Sequence, residues 1–375
     1  MGDSLLDAFV DICGPGLARP ARATDQVAGR RAGLVAVPAT RGAVAESLRL
    51  AVERDLSVRA RGSGSKIDWG TPPEAIDLIL DTGRLNGMWD HHGSTAVIAA
   101  GTPVSAVQAA LALRGQRLAV DPPSATATIG GMLAVNESGP LRHRFGSPAA
   151  QTEKIEYVDR AGVPAESDGE DGRPGIAEID GVITAAVLRL EPLPEARLWV
   201  GRSVSTPAEV SELVAQVVLQ EQEPSAVEVD LPVEGGGMLA LLVEGSPASA
   251  SANAEKIARS WGAQAVIAPA GPSWWGRYPF ERDDVVLRIS VRPRDLQAVA
   301  YALRDSAGAA VPIRGSAGVG MVHAVLPRGL SGARVAEIVD AVRQVLLARR
   351  GRLVVVAAPP ELATEIEMAR RQELF

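Results

Sequence analysis

A single cysteine, Cys13, stands in 375 residues. An internal disulfide, a thiolate zinc site and an iron–sulfur cluster held by this chain alone all need more. Histidine is nearly as scarce: His91, His92, His143 and His323, none at i,i+4 spacing on a helix. Metal sites want several clustered nitrogen or sulfur ligands, so no metal site is expected. Basic residues are outnumbered, 38 Lys and Arg against 45 Asp and Glu, for a formal net charge of −7. Nucleic-acid binding would need a basic face, and no such partner is expected. No apolar run approaches the roughly 20 residues that cross a bilayer. Residues 1–14 carry Asp3, Asp7 and Asp11, while Leu5, Leu6, Phe9, Val10 and Ile12 fall at helical spacing. An amphipathic helix rather than a secretory signal is expected there, in a cytoplasmic protein that does not span the membrane. Redox chemistry in such a chain must come from an organic cofactor.

What is present is a globular balance of 46 % apolar and 22 % charged residues, at a length that predicts two or three domains. Short strands, helices and glycine-rich loops alternate over 34–190. Residues 34–37 read as a strand, and Thr40 caps a helix whose Val44, Leu48, Ala51 and Val52 share one face. A strand over 57–60 runs directly into Arg61-Gly62-Ser63-Gly64-Ser65-Lys66. Ile76, Leu78 and Leu80 alternate around Asp77 and Ile79, which predicts a strand with one buried face. After a strand at 97–100, Thr102 is expected as N-cap and Pro103 as first helical residue, with Val104, Val107 and Leu111 inward. The acidic, glycine-rich stretch 164–175 reads as a solvated loop.

Beyond Pro192 a second pattern begins and repeats. A strand at 197–203 precedes Thr206-Pro207-Ala208-Glu209, a capping box opening a helix with Val210, Leu213, Val214, Val217 and Val218 inward. Strands at 227–231 and 238–244, a helix at 247–261 and a strand at 264–268 complete a βαββαβ order. Strands at 285–292, 310–314, 321–326 and 352–357, with helices at 294–306 and 331–349, repeat it. The expected fold is α+β, with a duplicated ferredoxin-like second domain. Trp274, Trp275, Tyr278 and Phe280 cluster between the repeats in a chain with 3 % aromatics, and pack there or line a substrate or partner surface.

The chemistry lies in two loops. Successive backbone N–H groups over Arg61-Gly62-Ser63-Gly64-Ser65-Lys66 can form an anion-binding concavity for a phosphate or pyrophosphate. A Rossmann fingerprint would need a third glycine, and a Walker A loop would need Gly-Lys-Ser/Thr; Ser65-Lys66-Ile67 supplies neither. The second block runs from Asp121-Pro122-Pro123 through Thr128-Ile129-Gly130-Gly131 to Asn136, Ser138 and Gly139. Paired glycines beside small hydroxyl residues let backbone approach a flat ligand; a tight turn into a helix is the plainer alternative.

Together the blocks resemble the PCMH-type FAD-binding module of the vanillyl-alcohol oxidase superfamily, and within it the FAD-binding subunit of glycolate oxidase. Residues 61–70 look like that module's pyrophosphate loop, and Thr128 to Gly131 with Asn136, Ser138 and Gly139 like its second flavin-contacting stretch. Gly181-Val182-Ile183-Thr184 resembles the strand whose backbone lies against the cofactor, and 354–360 resembles the family's C-terminal domain. The resemblance covers roughly 18–360. It implies a lead-in over 1–33, a two-subdomain FAD-binding module over 34–194, and an α+β cap or substrate domain over 195–375. It implies FAD held by Arg61, Gly62, Ser63, Gly64, Ser65, Lys66, Pro123, Thr128, Ile129, Gly130, Gly131, Asn136, Ser138, Gly139 and Ile183. No His or Cys stands in the Arg61 loop, so non-covalent FAD is implied. The family's Lys-Asn-Val-Ala-Gly-Tyr-Asp segment has no counterpart; the shorter 157–179 takes its place.

The activity implied is oxidation of a small, glycolate-like 2-hydroxy acid by hydride transfer to flavin, with flavoprotein and iron–sulfur partner subunits. A non-catalytic subunit with a degenerate flavin site, assembled with a catalytic flavoprotein, is the alternative, and the shortened 157–179 stretch favours it. Such chemistry needs a base and cations for a carboxylate. Arg142, His143 and Arg144 are the candidates, weighed against a plain solvated basic turn. For His91 and His92 a surface role is expected, and for His323 a packed one.

Overall fold

A computed structural model describes residues 2–167, 175–219 and 223–375. The chain divides into two units, one of Met1–Glu137, Ser147–Leu193 and Arg370–Phe375, the other of Ser138–Gly146 and Pro194–Ala369.

The first unit holds two principal sheets. In a four-stranded sheet, Leu34–Ala36 and Val58–Arg61 flank Leu78–Asp81 in parallel, and Ala18–Pro20 pairs antiparallel at one edge. Thr40 caps the helix Arg41–Glu53, its side chain accepting from the Ala43 N–H. Val44 and Leu48 of that helix pack on Leu78 and Leu80, together with Phe9 and Cys13 of the leading helix Gly2–Cys13. Ile79 packs on the other side with Val27 and Val35. The strand read as buried on one face is thus buried on both, as parallel strands between covering layers are. Val52 is 60 % exposed, not inward. It stands eight residues past Val44, about 80° around the helix, whereas Ala51 returns to the buried stripe.

A five-stranded antiparallel sheet follows, ordered Pro164–Ser167, Thr152–Asp159, Gly181–Arg189, Thr95–Ala99 and Met88–His92. Ile98, Ile155, Ile183 and Leu188 meet Val107 and Leu111 of the helix Val104–Ala112 and Ile129 and Leu133 of the short helix Ile129–Ala134. Thr102 is not the N-cap of Val104–Ala112; Pro103 holds that position without a side-chain cap. The Thr102 hydroxyl instead accepts from the Gly87 N–H at 2.9 Å, tying two loops together. The stretch read as a solvated loop also needs correction. Pro164–Ser167 is an edge strand whose Ala165 carbonyl accepts from Arg41 at 2.8 Å. Its acidic centre, 168–174, lies outside the described residues. The chain's last residues close this region: Arg371 donates to the carbonyls of Ile176 and Ile179.

In the second unit eight strands form one sheet, each neighbour antiparallel. Their order is Val266–Ala268, Ala196–Val204, Gly237–Gly245, Ala226–Leu231, Ile313–Ser316, Met321–Val325, Val286–Ser290 and Arg352–Ala357. Four helices, Pro207–Leu219, Pro247–Trp261, Leu296–Ala307 and Gly332–Leu347, share one core with the sheet. Val200, Val229, Leu241, Leu287, Ile289 and Val355 point into it. The strand expected at 310–314 starts three residues later, since Pro312 has no N–H to give a ladder. Val218, read as inward, is 70 % exposed for the same angular reason as Val52. Alternate strand residues, among them Trp199, Glu228, Leu242, Arg288 and His323, carry the face without helices. Leu141 and Phe145 pack there with Ala226, Leu242, Trp199 and Trp275. The clustered aromatics therefore lie on this face, Trp275 edge-on to Trp199 at 6.1 Å and Tyr278 edge-on to His323 at 5.0 Å. Among the described residues no helix is long and apolar enough to cross a membrane.

Candidate flavin site

Strand pairing fixes where the first loop begins. Arg61 ends its strand opposite Asp81, and its guanidinium donates to Asp81 at 2.8 and 3.0 Å and to Asp25 at 2.9 Å. Asp25 is itself nearly closed off from water. The hydrogen bond from Arg19 leads in holding its carboxyl well below the usual carboxylate range, with help from the Arg22 N–H and Arg61 and against the pull of burial. The Arg61 side chain thus anchors the loop to the sheet. What the loop offers a ligand is backbone. The N–H groups of Gly62, Ser63, Gly64 and Ser65 donate to no acceptor among the described residues. Gly64 is left-handed at φ +81°, and such turns let successive N–H groups converge.

The second block packs against this loop. A Cβ on Gly62 would stand 2.1 Å from the Thr128 hydroxyl oxygen, so only glycine fits there. Lys66 reaches across as well, its Nζ 2.5 Å from Ser124 Oγ and 3.5 Å from Glu137 Oε1. Glu137, 1 % exposed at its side chain, also accepts from the Ser124 hydroxyl at 2.6 Å. Burial lowers the Lys66 ammonium from its usual value, and Glu137 opposes that shift. The two motifs, 58 residues apart at Lys66 and Ser124, therefore meet.

Thr128 caps the helix Ile129–Ala134, its hydroxyl accepting from Gly131 N–H at 3.2 Å. The Ile129 N–H goes to Thr102 O at 2.9 Å and the Gly130 N–H to Ala100 O at 2.7 Å. The donors of the paired glycines are accordingly spent within the protein. Asn136 takes a left-handed φ of 49° and accepts from the Ala149 N–H through Oδ1. Ile183 packs beneath Ile129 in the same core. Ser63 and Ser65 are exposed, and Pro123 is half-buried.

Ser138, Gly139, Arg142, His143 and Arg144 belong to the second unit. The turn of helix Arg142–Phe145 is not the solvated basic turn weighed above, for Arg142 and His143 are half-buried. Arg142 donates to Ser138 Oγ at 2.9 Å. His143 lies against Gly318, its Nδ1 without a hydrogen-bond partner, and burial lowers its pKa, so it is neutral near pH 7. Arg144 is exposed. His91 meets Gln116 at 2.7 Å and His92 meets Asp90 at 2.6 Å. Sequence reasoning missed Arg288, whose guanidinium is buried at the centre of a strand, and Glu137, the partner of Lys66. An arginine alternating with Leu287 and Ile289 was the available signal. Among the described residues no three His, Cys, Asp or Glu side chains gather as a metal would need.

Residues 32–166 match the FAD binding domain family. An uncharacterized oxidoreductase, ORF5 in the fasciation locus of Rhodococcoides fascians, is 33 % identical over 170 residues, 44 % of this chain and 38 % of that protein. Glycolate oxidase subunit GlcE of Escherichia coli K12 is 29 % identical over 187 residues, 46 % of this chain and 53 % of the subunit. Each match thus spans less than two thirds of the relative's own length. In fold the chain is similar to alkyldihydroxyacetonephosphate synthase, at a TM-score of 0.71 and 15 % identity over 93 % of this chain and 81 % of that one. The resemblance to PCMH-type flavoproteins read from the loops holds, and the cofactor class is FAD.

Proposed function

We propose that this chain is an FAD-linked oxidoreductase, or a subunit of one, that oxidises a small 2-hydroxy acid of the glycolate type with non-covalent FAD. The observation that carries it is the run of four N–H groups, Gly62 to Ser65, without acceptors among the described residues and backed by the Thr128 block. Such a run suits a pyrophosphate, and no His or Cys stands in the loop to tether a flavin. When bound, the flavin supplies the hydride acceptor. The chain's own part is to hold the pyrophosphate on 62–65, with Lys66 as a nearby cation, and to shape the wall with Ile129 and Ile183. Neutral His143 is the candidate to take the substrate's hydroxyl proton.

In this reading 34–194 is the FAD module, 1–33 its lead-in, and 195–375 a duplicated ferredoxin-like cap that recognises substrate. The strand order of the eight-stranded sheet supports the duplication, since each half runs fourth, first, third, second strand from its outer edge. That the Escherichia coli relative is a glycolate oxidase subunit supports glycolate-type chemistry and a multi-subunit assembly; flavoprotein and iron–sulfur partners are part of this proposal. A cytoplasmic location belongs to the same reading.

A second reading is favoured by the Lys66–Glu137 pair, which sets a carboxylate against the one lysine of the loop. There the fold serves assembly and binds flavin weakly. The test is the absorption spectrum of the purified chain with FAD in titration, followed by a hydroxy-acid screen. Flavin bands near one equivalent that bleach with a 2-hydroxy acid support the first reading. A colourless protein indifferent to added FAD leaves only the second.

A further inference from the structure

Among the described residues no carboxylate pairs with Arg288. Its strand, Val286–Ser290, sends Leu287 and Ile289 into the helix-side core and Arg288 to the opposite face, where it is 6 % exposed. The one hydrogen bond it makes among the described residues runs to the Met321 sulfur at 3.5 Å, a weak acceptor. Burial first, then the nearby charges of Arg142 and Arg352, push it down to about 10 against the opposing effect of Tyr278, still a cation at neutral pH. Arg142 is half-buried too, and its described partner is a hydroxyl, Ser138 Oγ.

Other arginines of the same unit meet carboxylates. Arg197 meets Glu244 at 3.0 Å, Arg202 meets Glu209 at 3.0 Å, and Arg314 meets Asp230 at 2.8 Å. A buried guanidinium without an anion is costly, and two that repel each other are costlier. That cost falls away when an anion from outside completes the group. Resting on the oxidoreductase reading above, we infer that Arg288 and Arg142 form a binding site for a carboxylate and that this site recognises the acid group of the substrate.

Geometry narrows the ligand class. The guanidinium is a planar fork that matches two oxygens of a carboxylate in one plane. Its strand neighbour is His323, with Tyr278 edge-on to that ring, so the ground beside it is flat and aromatic.

The test measures melting temperature and calorimetric binding of the full chain with oxalate, inorganic phosphate or chloride at matched ionic strength. Wild type, Arg288→Met, Arg288→Lys and Arg142→Met are compared, and FAD is titrated into the same samples. Oxalate is expected to raise the melting temperature of wild type above the chloride control. Arg288→Met should melt no lower than wild type without ligand, because it removes an unpaired buried charge, and should bind oxalate roughly 10- to 100-fold more weakly. Arg288→Lys, keeping charge without the fork, and Arg142→Met should fall between. An unchanged oxalate response in Arg288→Met overturns the site, and stabilisation by phosphate equal to that by oxalate overturns the carboxylate class. FAD binding without oxalate binding sinks this inference alone. Oxalate binding without FAD binding sinks the oxidoreductase reading and leaves the anion site standing.

Discussion

Replacing Gly62 by alanine tests the junction of the two flavin-loop blocks more sharply than any deletion. Gly62 needs no left-handed backbone angle, so the added methyl acts through space alone. That methyl would stand 2.1 Å from Thr128 Oγ1, far inside van der Waals contact. The hydroxyl cannot simply rotate away, because it holds the Gly131 N–H at 3.2 Å as the helix cap. Either the cap breaks or the loop retreats. Overpacking of this kind costs about 1–3 kcal/mol, and loss of a threonine cap about 1 kcal/mol. Independent effects would therefore sum to about 2–4 kcal/mol in Gly62→Ala with Thr128→Ala. With the clash as the cause, the double variant removes the oxygen that the methyl strikes and costs only about 1 kcal/mol, a coupling of about 1–3 kcal/mol. Urea denaturation of wild type, both single variants and the double measures this. FAD titration alongside should show Gly62→Ala weakening the cofactor and the double recovering part of it. Additivity within about 0.5 kcal/mol would refute the contact.

Gly318→Ala should destabilise the chain by about 1–3 kcal/mol, since its Cβ would meet His143 Nδ1 at 2.3 Å and Val227 Cβ at 2.9 Å; a thermal melt equal to wild type contradicts this. Asn136→Ala should cost about 1–2 kcal/mol, because alanine resists the left-handed angle and the bond to Ala149 is lost, while Asn136→Gly, which keeps the angle, should lose less. Urea midpoints in the reverse order would exclude that account. Asp25 is depressed in the folded chain by Arg19 first, so its share of stability is present above the unfolded aspartate value near 3.9 and is lost as pH falls toward the lower folded one. The gap in urea midpoint between wild type and Asp25→Asn should thus be wide near about pH 6 and narrow toward about pH 3. A gap constant across that range would show that Asp25 does not act through its charge.

The second unit was readable because its signals are local. Thr206 and Ser331 both accept from the N–H three residues on, and the strands alternate between a helix core and a free face. The errors came where the answer depends on a third element. Val52 and Val218 share the composition of a buried stripe and miss it by about 80°, a difference that shows only once the packing partner is placed. Burial on the Ile79 face went unread because a strand's second face is wet or dry according to what covers it. Thr102 has the makeup of a cap but serves the neighbouring loop at Gly87. Among site residues, the glycine and hydroxyl loops announced themselves, since few other structures need that composition. Arg288 did not, because one arginine in an alternating strand looks the same whether its face meets water or is covered.

The loops divide the flavin site unequally, and this bears on which reading of the chain holds. Both glycine blocks drew notice for backbone that a ligand could approach. In the second block the Ile129 and Gly130 N–H groups are given to Thr102 and Ala100, and the Gly131 N–H to Thr128. That block is therefore a buttress: it fixes the far wall and makes glycine necessary at 62. The N–H groups of 62–65 remain unspent among the described residues, and Arg61 is engaged by Asp25 and Asp81 in holding that loop to the sheet. In the proposed reading, cofactor binding thus rests on backbone dipoles and one lysine already facing Glu137. Backbone donors of this kind are preorganised, so they lose little entropy on binding, but they carry no net charge to offset a pyrophosphate. A preorganised cradle with a muted charge is compatible with either reading. The two readings therefore differ in affinity, not in architecture.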